Sequence, residues 1–322
     1  VGQVAAAMTG VRSPLLDLPG AVEAEGVDAG VAAHYGSLFG EQVALERGEG
    51  FVDLSHRDVV RIAGPDRLTW LHSLTTQWFE TLEPGVWTTA LILSPQGHVE
   101  HAFTGVDDGT TFTAHTEAGA GEALVAWLDR MRFMTRVEVS TVPDLAATWR
   151  ATSEGFTYDF VPRERLVAYA EAAGPPAGMW AFEALRIARG EPRFGLDTDH
   201  RTIPNEVGWI GPAVHLEKGC YRGQETVARV HTLGRPPRRL TLLHLDGSEN
   251  RLPANGAEVQ HGDRSIGFVG SSARHHELGP IGLALLKRNV PIDAALVVDG
   301  LPAAQEVVVD PEVGLHVRPR LG

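Results

Sequence analysis

One cysteine, Cys220, stands in this 322-residue chain between Gly219 and Tyr221, with Lys218 and Arg222 just outside them. A thiol acts as a nucleophile only as the thiolate, a form that neighbouring cations and helix N-terminal N–H groups favour. Lys218 and Arg222 supply the cations. The run Gly223-Gln224-Glu225-Thr226-Val227-Ala228 reads as a helix start, whose free N–H groups can face back toward Cys220. Gly219 and Gly223 let the backbone turn sharply and approach a ligand closely. The opposing reading is a solvated helix face beside an incidental buried thiol.

From Lys218 to Arg239 there are six cations (Lys218, Arg222, Arg229, Arg235, Arg238, Arg239) against one acid, Glu225, in a protein of net charge −13. A basic island in an acidic chain predicts a local anion site, with Arg229 or Arg235 as its ligand. Glu100, beside His101, offers a general base, although a one-residue shift along a strand turns a side chain to the other face. Trp209 and Tyr221 are either stacking surfaces or core. There are 14 histidines, but His98 and His101 point to opposite faces of a strand, and His275-His276 have only Glu277 nearby. No third ligand stands at a sensible spacing, so no metal site is expected. One cysteine excludes an intramolecular disulfide and a cysteine-held iron–sulfur cluster supplied by this chain alone.

The elements that must position these groups are legible in outline. Val59–Ala63 reads as a strand, and Gly64-Pro65-Asp66 opens a helix with Leu68, Leu71, Leu74 and then Trp78 on its inner face. Residues 88–93 and 99–104 form a hairpin across Ser94-Pro95-Gln96-Gly97-His98, followed by a strand over 110–115, a helix over 120–132 and a strand at 137–139. A strand pair over 148–152 and 157–161 leads to helices over 163–173 and 179–189, the second stopped by Gly190-Glu191-Pro192. Residues 192–215 are loop-rich. Past Pro236, short strands at 240–245, 257–260, 265–270, 281–286 and 295–298 predict a small barrel or jelly-roll-like module. The fold class is therefore α+β on mostly antiparallel sheets. The segments are an N-terminal arm and connection (1–49), an α+β domain of two subdomains (50–235) and a C-terminal β-barrel (236–322).

With 43% hydrophobic and 21% charged residues, the composition is that of a soluble globular chain. Its apolar runs are strand-sized, so no membrane span is expected, and the first twenty residues carry no signal-peptide pattern. Cytoplasm is the default location. The acidic balance excludes chain-wide nucleic-acid binding and leaves only the basic block for such a role.

The string Lys218-Gly219-Cys220-Tyr221-Arg222-Gly223-Gln224-Glu225 closely resembles the KGCYxGQE signature of the YgfZ family, folate-binding relatives of the glycine-cleavage T-protein implicated in iron–sulfur protein maintenance. Gly50 to His56, Ala63 to Asp66, Gly178 to Gly190 and Ile203 to Trp209 are similar to further segments of the T-protein superfamily, so that residues 50–290 are covered. The resemblance implies three subdomains in a ring around a central folate channel. It implies a cofactor, tetrahydrofolate or a derivative, with Cys220, Lys218 and Arg222 as the reactive group and its cations. Asp159, Arg186, Trp209, Tyr221, Gln224 and Glu225 are the cofactor-binding candidates.

Counting back from Pro162, the pterin-binding glutamate of the superfamily falls on Tyr158, and Asp159 is the nearest acid. Arg186 is placed either to meet the glutamate tail of folate or to pair with Glu183. His101 stands where the transferases carry their catalytic aspartate, His115 where they usually have an asparagine and Arg57 where they usually have a methionine. These departures point away from aminomethyl transfer. The expected function is a folate-binding accessory protein supporting iron–sulfur protein assembly or repair, with iron–sulfur client proteins or tRNA as partners through residues 218–239. The alternative is a tetrahydrofolate-dependent aminomethyltransferase or other one-carbon transferase.

Overall fold

The computed structural model describes residues 12–152 and 155–316. After a 3-10 turn at Pro14–Asp17, strands β1 (Val22–Glu23) and β2 (Ala32–His34) precede helix α1 (Leu38–Glu46). Then come β3 (Phe51–Asp53), β4 (Asp58–Ala63), α2 (Arg67–Leu74), β5 (Trp87–Leu93), β6 (Val99–Asp107), β7 (Thr111–Thr116) and α3 (Gly121–Arg130). β8 (Glu138–Thr141), β9 (Leu145–Thr152), β10 (Gly155–Pro162), α4 (Leu166–Ala173), β11 (Pro176–Ala177) and α5 (Met179–Ala188) follow. The C-terminal part holds α6 (Gln224–Leu233), β12 (Arg238–Leu245), β13 (Glu258–His261), β14 (Arg264–His275), β15 (Gly279–Lys287), β16 (Leu296–Val298) and β17 (Leu301–Val307).

The chain divides into two compact units. The first is Val1–Arg67 with Pro84–Trp87 and Thr104–Phe182; the second is Leu68–Glu83 with Thr88–Phe103 and Glu183–Gly322. A four-stranded sheet of order β10-β9-β3-β11 lies in the first unit, and a five-stranded sheet has the order β5-β6-β7-β4-β8. In these sheets β9 with β10, β3 with β9, β4 with β7, β4 with β8 and β6 with β7 pair antiparallel, and β3 with β11 pairs parallel. Among the described residues, no helix is long and apolar enough to cross a membrane.

Six strands close into a barrel of order β12-β15-β14-β13-β16-β17, with β17 pairing back onto β12. The sequence reading stops one strand short. Asp299 and Gly300, both at positive φ, make the two-residue turn from β16 into β17, which is the Asp-Gly hairpin signal. On β12 the two side-chain faces are used differently, because successive residues alternate across a strand. Leu243 and Leu245 fill the barrel with Val259, Val269, Leu286 and Val298. Leu240 and Leu242 instead pack with Ala184 and Ile187 of α5 and with Val207. The barrel thereby fixes the last turns of α5.

Two further elements differ from the sequence reading. The first fifty residues, read as an arm and connection, contain the β1/β2 ribbon and α1. Trp78 lies beyond the end of α2 at Leu74, and its ring packs edge-on to His72 at 5.1 Å. It therefore does not extend the helix's apolar stripe.

Candidate functional site

The segment carrying Cys220 is anchored on both sides of the cysteine, by Lys218 before it and Tyr221 after it. Lys218 and Tyr221 are buried, while Gly219, Cys220 and Arg222 are exposed. Tyr221 belongs to an apolar cluster with Leu91, Leu93, Val99, Ala213, Val214 and Val227, which seats the turn against the β5/β6 hairpin. Lys218 reaches the carboxyl end of α2, where its ammonium donates to the carbonyl oxygens of His72 and of Thr75, the latter at 2.6 Å. It also lies 4.9 Å from the centre of the Tyr221 ring. Burial pushes the Lys218 ammonium down to about 8 and the Tyr221 phenol up to about 12.

Helix α6 begins one residue after Gly223, as its sequence suggests. Gly223 caps it at φ 81°, and Gln224 donates its N–H to Tyr221 O at 3.2 Å. The Gln224 side chain donates to Lys218 O at 3.4 Å, and Arg222 pairs with Glu100 of β6 at 3.0 Å. The carboxylate offered as a general base is thus tied to the cysteine turn.

Residues 75–77 form a seam that sequence reasoning missed. Thr76 Oγ1 donates to Ala213 O at 2.6 Å and accepts from Leu91 N at 3.0 Å, while Thr76 O accepts from His215 N at 2.9 Å. Gln77 Nε2 donates to Thr89 O and to Pro212 O, both at 3.2 Å. With the two Lys218 bonds, these contacts stitch the end of α2 to residues 212–218 and to β5. Three polar residues directly after an apolar helix, Thr75-Thr76-Gln77, were the available signal.

The basic block is not a field of free cations. Arg229 pairs with Glu225 on the exposed face of α6, Arg235 with Glu312, and Arg238 with both Asp199 and Glu206. Arg239 is fully buried and donates to Thr241, Gln305 and Val290 O. Much of the block's charge is thus met by internal pairing, from Glu225 within the helix and from Asp199, Glu206 and Glu312, which are distant in sequence. Burial of Asp199 works against its charge, but the hydrogen bonds and charge of Arg238 outweigh it and hold the carboxyl down at about 2.

A second constellation lies in the first unit. His115 of β7 is 3% exposed, and neither ring nitrogen has a hydrogen-bond partner among the described residues. Its ring is 4.7 Å from that of Tyr158, with Trp87 and Phe160 at 6.5 and 6.3 Å. Arg57 is buried over the Phe182 ring at 5.4 Å, with Glu117 3.4 Å away. Arg57 Nε and Ser55 Oγ are likewise unmatched among the described residues. Buried polar atoms of this kind call for an explanation, since each one left unpaired costs about 1–3 kcal/mol.

Burial first, and then the Arg57 charge, push the His115 imidazolium down to about 3. In the unfolded chain the same ring takes a proton below about 6.5. The folded state thus binds fewer protons between these values, so the His115 contribution is complete above pH 6.5 and is lost as pH falls toward 3. The expected slope is up to ~1.4 kcal/mol per pH unit. Denaturant unfolding of the parent and His115→Gln at pH 7 and pH 5 checks this, and an unchanged slope in the variant assigns the effect elsewhere.

The structure places the remaining candidates as follows. Asp159 lies on β10 between Tyr158 and Phe160, so strand alternation turns it to the face opposite the His115 cluster. There it accepts from Tyr169 Oη at 2.8 Å and lies 3.3 Å from Arg150. Arg186 is buried between Glu183 and Asp197. Trp209 packs between the Tyr221 cluster and the barrel-facing cluster. His275 accepts two backbone N–H bonds at Nδ1, from Glu277 and Leu278. Cys220, Lys218, Tyr221, Arg222 and Gln224 are therefore brought together, and Asp159 and Arg186 are used elsewhere in their own units.

The fold is that of the glycine-cleavage aminomethyltransferases. Aminomethyltransferase T of the glycine cleavage system from Bartonella henselae matches it with a TM-score of 0.76, over 93% of this chain and 96% of that one, at 18% identity. The sequence is also similar to named aminomethyltransferases. That of Streptomyces coelicolor is 28% identical over 305 aligned positions, covering 78% of this chain and 81% of the relative. That of a Thermotoga species is 24% identical over 350 positions, covering 87% and 91%. No family model matches the sequence.

Proposed function

We propose that the chain is a folate-binding accessory protein of the YgfZ type, acting in iron–sulfur protein assembly or repair, with Cys220 as its reactive group. The observation that carries this reading is the presentation of Cys220, exposed on a turn whose flanking Lys218 and Tyr221 are both buried. A chain that only used the cysteine as filler would bury it, as most free cysteines are.

Reduced folate fits the chemistry of the first unit. A pterin is flat and carries donors and acceptors on its edge. Trp87, Tyr158 and Phe160 offer ring faces, while His115, Ser55 and Arg57 offer unmatched polar atoms of both kinds. When bound, a reduced folate supplies a one-carbon acceptor. His115 stays neutral in the working pH range, so it can give one hydrogen bond and receive another. The aminomethyltransferase relatives support the same cofactor. On this reading a client, an iron–sulfur protein or a tRNA, meets the protein at the exposed turn, in the cytoplasm.

The test is a titration of the purified protein with tetrahydrofolate, followed by calorimetry. Micromolar binding is the expected result, with Cys220→Ser folding normally but failing to replace the wild type in a cell dependent on it. Absence of folate binding, or full complementation by Cys220→Ser, overturns the reading.

The names of the relatives favour one second reading, a one-carbon transferase with Glu100 or Asp159 as base. Both carboxylates already hold partners, Arg222 for Glu100 and Arg150 with Tyr169 for Asp159. Formation of methylene-tetrahydrofolate from an aminomethyl donor would establish this alternative.

A further inference from the structure

Sequence alone makes Lys218 a charge donor to its neighbour's sulfur, but the structure gives the ammonium another occupation. It donates hydrogen bonds to His72 O and Thr75 O at the carboxyl end of α2. His72 O lies in the last turn of α2 and Thr75 O one residue past its end, where carbonyls lack intrahelical partners and the dipole is negative. The Tyr221 ring covers the ammonium at 4.9 Å. Residues 212–215 are fastened to the same stretch by Thr76 and Gln77. The turn is thus held before Cys220 by Lys218 and after it by Tyr221.

We propose that Lys218 is a positioning residue, a side-chain cap on α2 that sets the orientation of the turn presenting Cys220. The inference rests on Cys220 being the reactive group, and assigns its geometry to Lys218 bonds rather than to Lys218 charge. Two donors suffice for the two carbonyls. A lysine that has lost its proton keeps two N–H bonds, so the clamp persists when the charge is gone. Other titratable groups border this cap. His72 is lowered by burial and then by Lys218, while Glu80 acts in the opposite sense on both His72 and Lys218, and His215 bears on His72.

The experiment is the pH–rate profile of Cys220 alkylation by iodoacetamide in the full-length protein, without folate, for the parent, Lys218→Met, Lys218→Gln and Lys218→Arg. Methionine keeps the length and removes every donor. Glutamine keeps two N–H donors without charge, and arginine keeps both donors and charge. The clamp predicts that Lys218→Met changes the limiting rate at high pH by about fivefold or more while the midpoint stays within about 0.3 pH units, as an order of magnitude for a lost pair of hydrogen bonds. Glutamine or arginine should restore the rate to within about twofold, since hydrogen bonds and not charge carry the effect. Failure of Lys218→Met alone to fold, with Lys218→Gln folded and parent-like, supports the clamp as well.

A midpoint that rises in both Lys218→Met and Lys218→Gln, with limiting rates unchanged, overturns the proposal in favour of charge. Identical profiles in all four proteins overturn it too. Because no folate is present, none of these outcomes depends on whether the protein binds one.

Discussion

Arg186→Met lowers the unfolding free energy by about 3–5 kcal/mol, the usual cost of removing one partner from a buried ion pair. The guanidinium is 2% exposed. It donates to Asp197 Oδ2 at 2.9 Å, to Glu191 O at 2.9 Å, and by a fork to both oxygens of Glu183. Burial opposes the charge on Arg186, but Glu183 and Asp197 outweigh it and hold the guanidinium more firmly protonated than in water. Asp197 is fully buried, and burial pushes its carboxyl up against the pull of Arg186.

Without the arginine, Asp197 still accepts from the Arg193 N–H at 2.8 Å and the Ser271 hydroxyl at 2.6 Å, two neutral donors. Guanidinium chloride unfolding gives the number. Arg186→Lys should lose most of the same stability, since a point charge cannot serve three acceptors in a plane. A loss under ~1 kcal/mol would mean that the site relaxes around water, as exposed pairs do. The same variants decide whether Arg186 also meets a folate tail: a folded Arg186→Lys with weakened folate binding and intact stability would make it a ligand.

Gly223→Ala is the second large effect. Gly223 sits at φ 81°, and a Cβ there would stand 2.5 Å from Ser94 O and 2.9 Å from Gly97 Cα. Both obstacles are backbone, so neither can swing aside. The left-handed conformation costs about 1–3 kcal/mol and overpacking about as much again, giving a loss of about 2–6 kcal/mol. Gly219→Ala, in the same motif, meets nothing within 4 Å. It should be neutral or stabilising by a few tenths of a kcal/mol. Thermal unfolding of the two variants side by side checks the contrast, and equal losses would mean that the turn, not the hairpin contact, sets the requirement.

Much of the fold is readable because its signals are local. The β5/β6 hairpin follows from Ser94 to His98, the end of α5 from Gly190 and Pro192, and five barrel strands from short apolar runs between turns. The closing strand escaped because Pro302 interrupts the alternation, although Asp299-Gly300 announced the turn. The site was legible as a motif but not as a mechanism. Nothing in the neighbourhood of Lys218 reveals that its partners are carbonyls 143 and 146 residues away. Likewise, Asp199, Glu206 and Glu312 neutralise arginines that look free on the page, and charge counted along a sequence cannot see them.

Among the described residues, strand β10 has a hydrogen-bonded neighbour on one side only. Eight residues long, with Phe156 44% exposed, it offers a ready template for a stranger's backbone. The barrel, closed on itself, offers none. Loss of this protein from concentrated solution should therefore begin at the first unit, where copies can zip together through β10 before either has unfolded elsewhere.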